Sequence, residues 1–112
     1  GGRGGWSEGS ANTNCRPDLL ATAAGDYGRT ARIPTLWLYT ANDTFFAPAI
    51  ARSLHAAYTA GGGVAEFHPL AGFGRDGHRL FFGQGGSAIW GGEVGPWLAA
   101  RLGHPLASGA RQ

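Results

Sequence analysis

Residues 33–40, IPTLWLYT, are an almost unbroken apolar run that stops at the polar stretch Ala41-Asn42-Asp43-Thr44. A strand with one wet face alternates apolar and polar residues, so a continuous run of this length fits a strand covered on both faces, the kind found in parallel sheets. Parallel neighbours need a crossover, and the next segment supplies one. Residues 48–60 open with Pro48, carry Ile50, Leu54 and Tyr58 on one helical stripe, and end at Gly61-Gly62-Gly63. Val64–His68 then reads as a second strand. A strand, a helix and a returning strand make a right-handed parallel crossover, which places the chain in the α/β class.

The flanks extend the same pattern. Pro17–Ala24 predicts a short helix, with Pro17 in its first turn and Gly25 as its stop. Ile89–Leu102 predicts a closing helix, with Trp90, Val94, Trp97, Leu98 and Leu102 at helical spacing and Pro96 either in its first turn or kinking it. Residues 1–102 are expected to form part of one α/β domain and residues 103–112 a flexible tail. Two parallel strands do not make a stable sheet alone. Together with the absence of Met, this predicts that the first half of the domain is encoded upstream and completes it as a partner.

Charge excludes one class of function. All nine basic residues are Arg, against seven acidic ones, and none form the basic stripe with interleaved aromatics that nucleic-acid binding requires. No apolar run approaches the roughly 18 residues of a membrane span. Cys15 is the only cysteine, so no internal disulfide can form.

Ligands of open parallel sheets sit beyond the carboxyl ends of the strands. Asp43 lies there after the first strand, and the loop PLAGFGRDG carries the chain from the second strand to His78. If the strands are neighbours, the carboxylate and the imidazole lie side by side. The Asp would then fix the imidazole tautomer and stabilise the imidazolium. Trp6, Phe45 and Phe46 are candidates for the wall of an apolar substrate pocket or for core packing. Asp76 is expected to shape the histidine loop, while His55 and His68 read as structural. Two alternatives stay open. One is a metal site built from Asp43, Asp76, His78 and His68, although no paired spacing fixes two ligands on one element. The other is a non-catalytic module using an exposed sheet edge as a subunit interface, with a second copy of the chain among its partners.

The stretches IPTLWLYTANDTFF and FGRDGHRLF, with the glycine-ended helix between them and the tryptophan-containing helix after them, resemble the C-terminal half of dienelactone-hydrolase-like α/β-hydrolases. The resemblance spans Ile33–Leu102. It implies a partial α/β-hydrolase fold and acyl transfer from a small ester or lactone to a Ser or Cys upstream of this chain. Asp43 would be the acid and His78 the base of the triad, with no cofactor and no metal.

Gly5-Trp6-Ser7-Glu8-Gly9 matches the nucleophile-elbow pattern G-x-S-x-G. An elbow needs a buried strand before it and a helix directly after it, because the tight turn is what lifts the hydroxyl above the sheet. Here only GGRG precedes, and the loop-like SANTNCRPD follows. Ser7 is also too close to Asp43, with room for one helix and one strand where the family places a further strand. The expectation is therefore a strand end entering a glycine-rich loop.

Overall fold

Thr35–Thr40 (β1) and Ala65–Leu70 (β2) pair in parallel, Thr35 opposite Ala65 and Thr40 opposite Leu70. In a computed structural model, which describes residues 16–103, the element order is α1 (Pro17–Thr30), β1, α2 (Pro48–Ala60), β2, a 3₁₀ turn at Gly77–Arg79 and α3 (Gly86–Leu102). The described chain is thus a mixed α/β unit built on one β1-α2-β2 crossover.

Side-chain alternation sets the layers. Trp37 and Phe67 turn to α2, where Trp37 meets Tyr58 with ring centroids 5.1 Å apart and both meet His55. On the opposite face His68 meets Glu93 of α3. Ala51, Leu54 and Tyr58 of α2 form the buried core together with Leu80, which is 2% exposed. His55 Nε2 donates to the Ala65 carbonyl at 2.8 Å, tying α2 to β2 as a structural histidine does.

The same bond helps close one edge of the sheet. In a parallel ladder alternate residues turn to each neighbour, and the carbonyls of Val64 and Leu70 turn to β1. Ala65, Phe67 and Pro69 therefore face outward. The Ala65 carbonyl is taken by His55, and Pro69 has no N–H to offer, features that limit further pairing along an edge strand.

Several boundaries differ from those read in the sequence. α1 does not stop at Gly25 but runs to Thr30. Gly25 and Gly28 lie where α1 crosses α2, and a Cβ on Gly28 would overlap the Tyr58 carbonyl oxygen. These glycines admit a close helix crossing; they are not punctuation. β1 starts at Thr35, leaving Ile33 exposed before Pro34, and the strand is half-buried among the described residues, with only Thr40 fully covered. β2 starts one residue later than expected and continues through Pro69 to Leu70. α3 starts at Gly86, after Gly85 in the left-handed region, and Pro96 lies well inside it. Trp6, Ser7, Cys15 and nearly all of the expected tail, 104–112, lie outside the described residues.

Candidate functional site

β1 ends at Thr40, and the chain turns at once through a hydrogen bond from the Asp43 N–H to the Thr40 carbonyl. Asp43 is 6% exposed. Its Oδ1 accepts the backbone N–H groups of Phe45 and Phe46 at 2.7 and 2.8 Å, an aspartate turn that fixes the carboxylate above the strand end. His78 arrives from the other loop on the 3₁₀ turn, and its Nδ1 lies 3.4 Å from each Asp43 oxygen. A carboxylate only accepts, so this contact is a hydrogen bond in the tautomer that carries its proton on Nδ1. Nε2 bonds no described residue. The contact is long for a hydrogen bond.

Phe45 covers one face of the imidazole, with ring centroids 4.0 Å apart and planes inclined by 22°. Phe46 stands further off, at 6.1 Å. The two aromatics therefore divide the role expected of them: Phe45 seats the histidine, and Phe46 lines a cavity of about 170 Å³ bounded by Asp43, His78, Tyr39, Leu80 and Phe81. That volume is below the roughly 300–1,000 Å³ of whole small-molecule pockets, so it suits part of a ligand. Burial pushes the Tyr39 phenol up, and the Asp43 charge adds to this, so Tyr39 presents a neutral hydroxyl.

The residues flanking Asp43 hold the histidine loop. Asn42 donates through Nδ2 to the carbonyls of Phe73 and Gly74 and accepts the Phe73 N–H at Oδ1, while its own carbonyl accepts the Gly77 N–H. Thr44 donates its N–H to Asp76 Oδ1 at 3.1 Å and its hydroxyl to Oδ2 at 2.7 Å. Asp76 Oδ1 also accepts the His78 N–H at 3.0 Å. Burial pushes the Asp76 carboxyl up, but the hydrogen bonds from Thr44 and His78 outweigh it and hold the group below the usual carboxylate range. Between Asp76 and His78, Gly77 lies so close to β1 that a Cβ would overlap the Thr40 hydroxyl.

A larger cavity, about 350 Å³, opens between β2 and α3, away from this pair. Its centre is His68, whose Nε2 and Nδ1 each lie 2.5 Å from a carboxylate, Glu66 and Glu93 respectively. Both nitrogens can donate only in the imidazolium, and Glu93 first, then Glu66, raises the His68 pKa. Arg101 adds a contact to Glu66 at 3.8 Å and stacks over Trp97. This cavity is the larger of the two, but both nitrogens of its histidine are engaged by carboxylates, whereas the smaller one is bounded by the Asp43–His78 pair.

The neighbouring strands bring Asp43 and His78 together, as the sequence predicts, and Asp76 shapes the histidine loop. The four-residue metal alternative does not assemble. His68 is engaged by Glu66 and Glu93, Asp76 is engaged by Thr44 and His78, and among the described residues no three His, Cys, Asp or Glu side chains converge on a metal position. Asn42 and Thr44 were not among the expected site residues. Their signal was the run Asn-Asp-Thr at a strand end, three side chains that bond nearby backbone. No helix among the described residues is long and apolar enough to cross a membrane. No family model matches the chain, and no curated protein or solved structure is significantly similar to it.

Proposed function

We propose that this chain carries the acid and base of an α/β-hydrolase triad that acts on a small ester or lactone, in the manner of the dienelactone-hydrolase-like enzymes that its sequence resembles. The observation that supports this most directly is the approach of His78 Nδ1 to the buried carboxylate of Asp43, with Nε2 bonded to no described residue. In this reading His78 Nε2 takes the proton of a Ser or Cys nucleophile as that atom attacks the acyl carbon, then returns a proton to the leaving oxygen. Such general acid–base help contributes about 10²- to 10⁴-fold in rate. Asp43 keeps the ring in the Nδ1–H tautomer and stabilises the imidazolium when it forms.

No Ser or Cys among the described residues hydrogen-bonds His78, so the reading draws the nucleophile and the oxyanion donors from outside them. The outer edge of β2, where the Ala65 carbonyl is taken and Pro69 lacks an N–H, is less suited to pairing than β1, which fits a sheet that continues on the β1 side, where the proposal puts the rest of the domain. Neither a cofactor nor a metal is required. The test is turnover of an activated ester by the protein encoded by the complete reading frame. Loss of turnover in His78→Ala, with circular dichroism unchanged, supports the reading; undiminished turnover in that variant removes it.

A further inference from the structure

Asp43 and His78 sit on different loops, and the contact between them is too long to hold those loops together. The atoms that do hold them are elsewhere. Asp76 joins three donors, the N–H and hydroxyl of Thr44 from the β1 loop and the N–H of His78 from its own. Asn42 fastens the far end of the same loop at Phe73 and Gly74. Residues 42 and 44 thus grip the histidine loop on either side of residue 43, the one that meets the imidazole.

We propose that Asp76, bridging Thr44 to the His78 backbone, is the positioning residue that sets the imidazole against Asp43, with Asn42 holding the other end of the loop. The proposal rests on the Asp43–His78 reading above and adds what maintains it. Asp76 touches no reacting atom. It restricts where the 3₁₀ turn can sit, and through the turn it determines whether Nδ1 or Nε2 of His78 keeps the proton. A charged acceptor already engaged by three donors cannot slide without leaving one of them unpaired, so the turn has one favoured position.

The tautomer is read directly in long-range proton–nitrogen spectra of the 112-residue chain labelled with ¹⁵N-histidine, recorded in mildly alkaline buffer. The parent is expected to show His78 chiefly as the Nδ1–H form. Asp76→Ala is expected to cut the ratio of that form to the Nε2–H form by about three- to tenfold, the range that one hydrogen bond controls. Asp76→Asn keeps an acceptor for both backbone N–H groups and can donate to the Thr44 hydroxyl, so it is expected to restore the parent ratio. The His55 signal reports folding, because its Nε2–H is held by the Ala65 carbonyl. If Asp76→Ala disturbs that signal, Thr44→Val replaces it, with a smaller drop expected in the same direction. A parent ratio retained in Asp76→Ala, or in Thr44→Val where that variant decides, overturns the positioning role and leaves the Asp43–His78 pair standing. A parent already dominated by the Nε2–H form overturns both.

Discussion

His78 Nδ1 is equidistant from the two carboxylate oxygens of Asp43, 3.4 Å from each, although Oδ1 already accepts two backbone N–H groups. The carboxylate is therefore held by its own turn before the histidine reaches it, and the fold sets its orientation. Replacing it by an amide tests what the charge does. Asp43→Asn keeps an acceptor for Phe45 and Phe46 and should fold, but its amide can present N–H to the ring and favour the wrong tautomer. In the complete protein, turnover of an activated ester should fall by roughly 10²- to 10⁴-fold with little change in KM. Turnover within a few-fold of the parent would take Asp43 out of the mechanism.

Glycines at two positions should respond in opposite directions. At Gly77 a Cβ would overlap the Thr40 hydroxyl and crowd the Asn42 side chain, both fixed at the end of β1. Gly77→Ala should destabilise the chain by about 1–3 kcal/mol, as overpacking does. At Gly91, inside α3, a Cβ meets nothing within 4 Å. There the helical preference of alanine is unopposed, and Gly91→Ala should stabilise by about 0.5–1 kcal/mol. Urea denaturation of the two variants beside the parent checks both signs.

This contrast also shows how far the sequence was legible. The crossover, the limits of α2 and the meeting of Asp43 with His78 follow from apolar runs and strand order, which are local patterns. Gly25 was misread as a helix stop because glycine has the same letter whether it frees the backbone or admits a neighbour. Only the packed α1–α2 crossing distinguishes the two roles. Asn42 and Thr44 were legible as turn formers, but their partners lie about thirty residues on, in the loop before His78, and no local pattern encodes that register. Phe45 and Phe46 are adjacent and identical in type, so their division between seating the histidine and lining the cavity depended on the turn that Asp43 imposes.

The doubly bonded His68 makes a pH dependence that is separate from the dyad. Glu93, and after it Glu66, raises the His68 pKa, with Arg101 the other charge facing the cluster. A raised folded pKa means that the stabilisation is fully present below the unfolded value of about 6.5 and is lost as pH rises through the folded value. Thermal stability should therefore decline as the pH is taken upward from about 6.5, and the docking of α3 on β2 should loosen with it. His68→Gln should flatten that decline. Melting curves of both chains across neutral to mildly alkaline pH measure it, and equal slopes would show that the cluster is not coupled to folding.

Ser7 provides the last test, since the proposed mechanism takes its nucleophile from outside the described residues and the sequence offers an elbow-like GWSEG nearby. A serine hydroxyl is a poor nucleophile unless a base removes its proton, and only an elbow between a strand and a helix would lift it toward His78 Nε2. If GWSEG is a loop, the 112-residue chain should not be labelled by a serine-directed fluorophosphonate. It should hydrolyse activated esters no faster than an exposed imidazole does. The spectra that report the His55–Ala65 bond establish that the sample is folded, so a negative result carries weight. A stoichiometric adduct mapped to Ser7 by mass spectrometry, abolished by His78→Ala, would instead make Ser7 the nucleophile and locate the whole triad within these 112 residues.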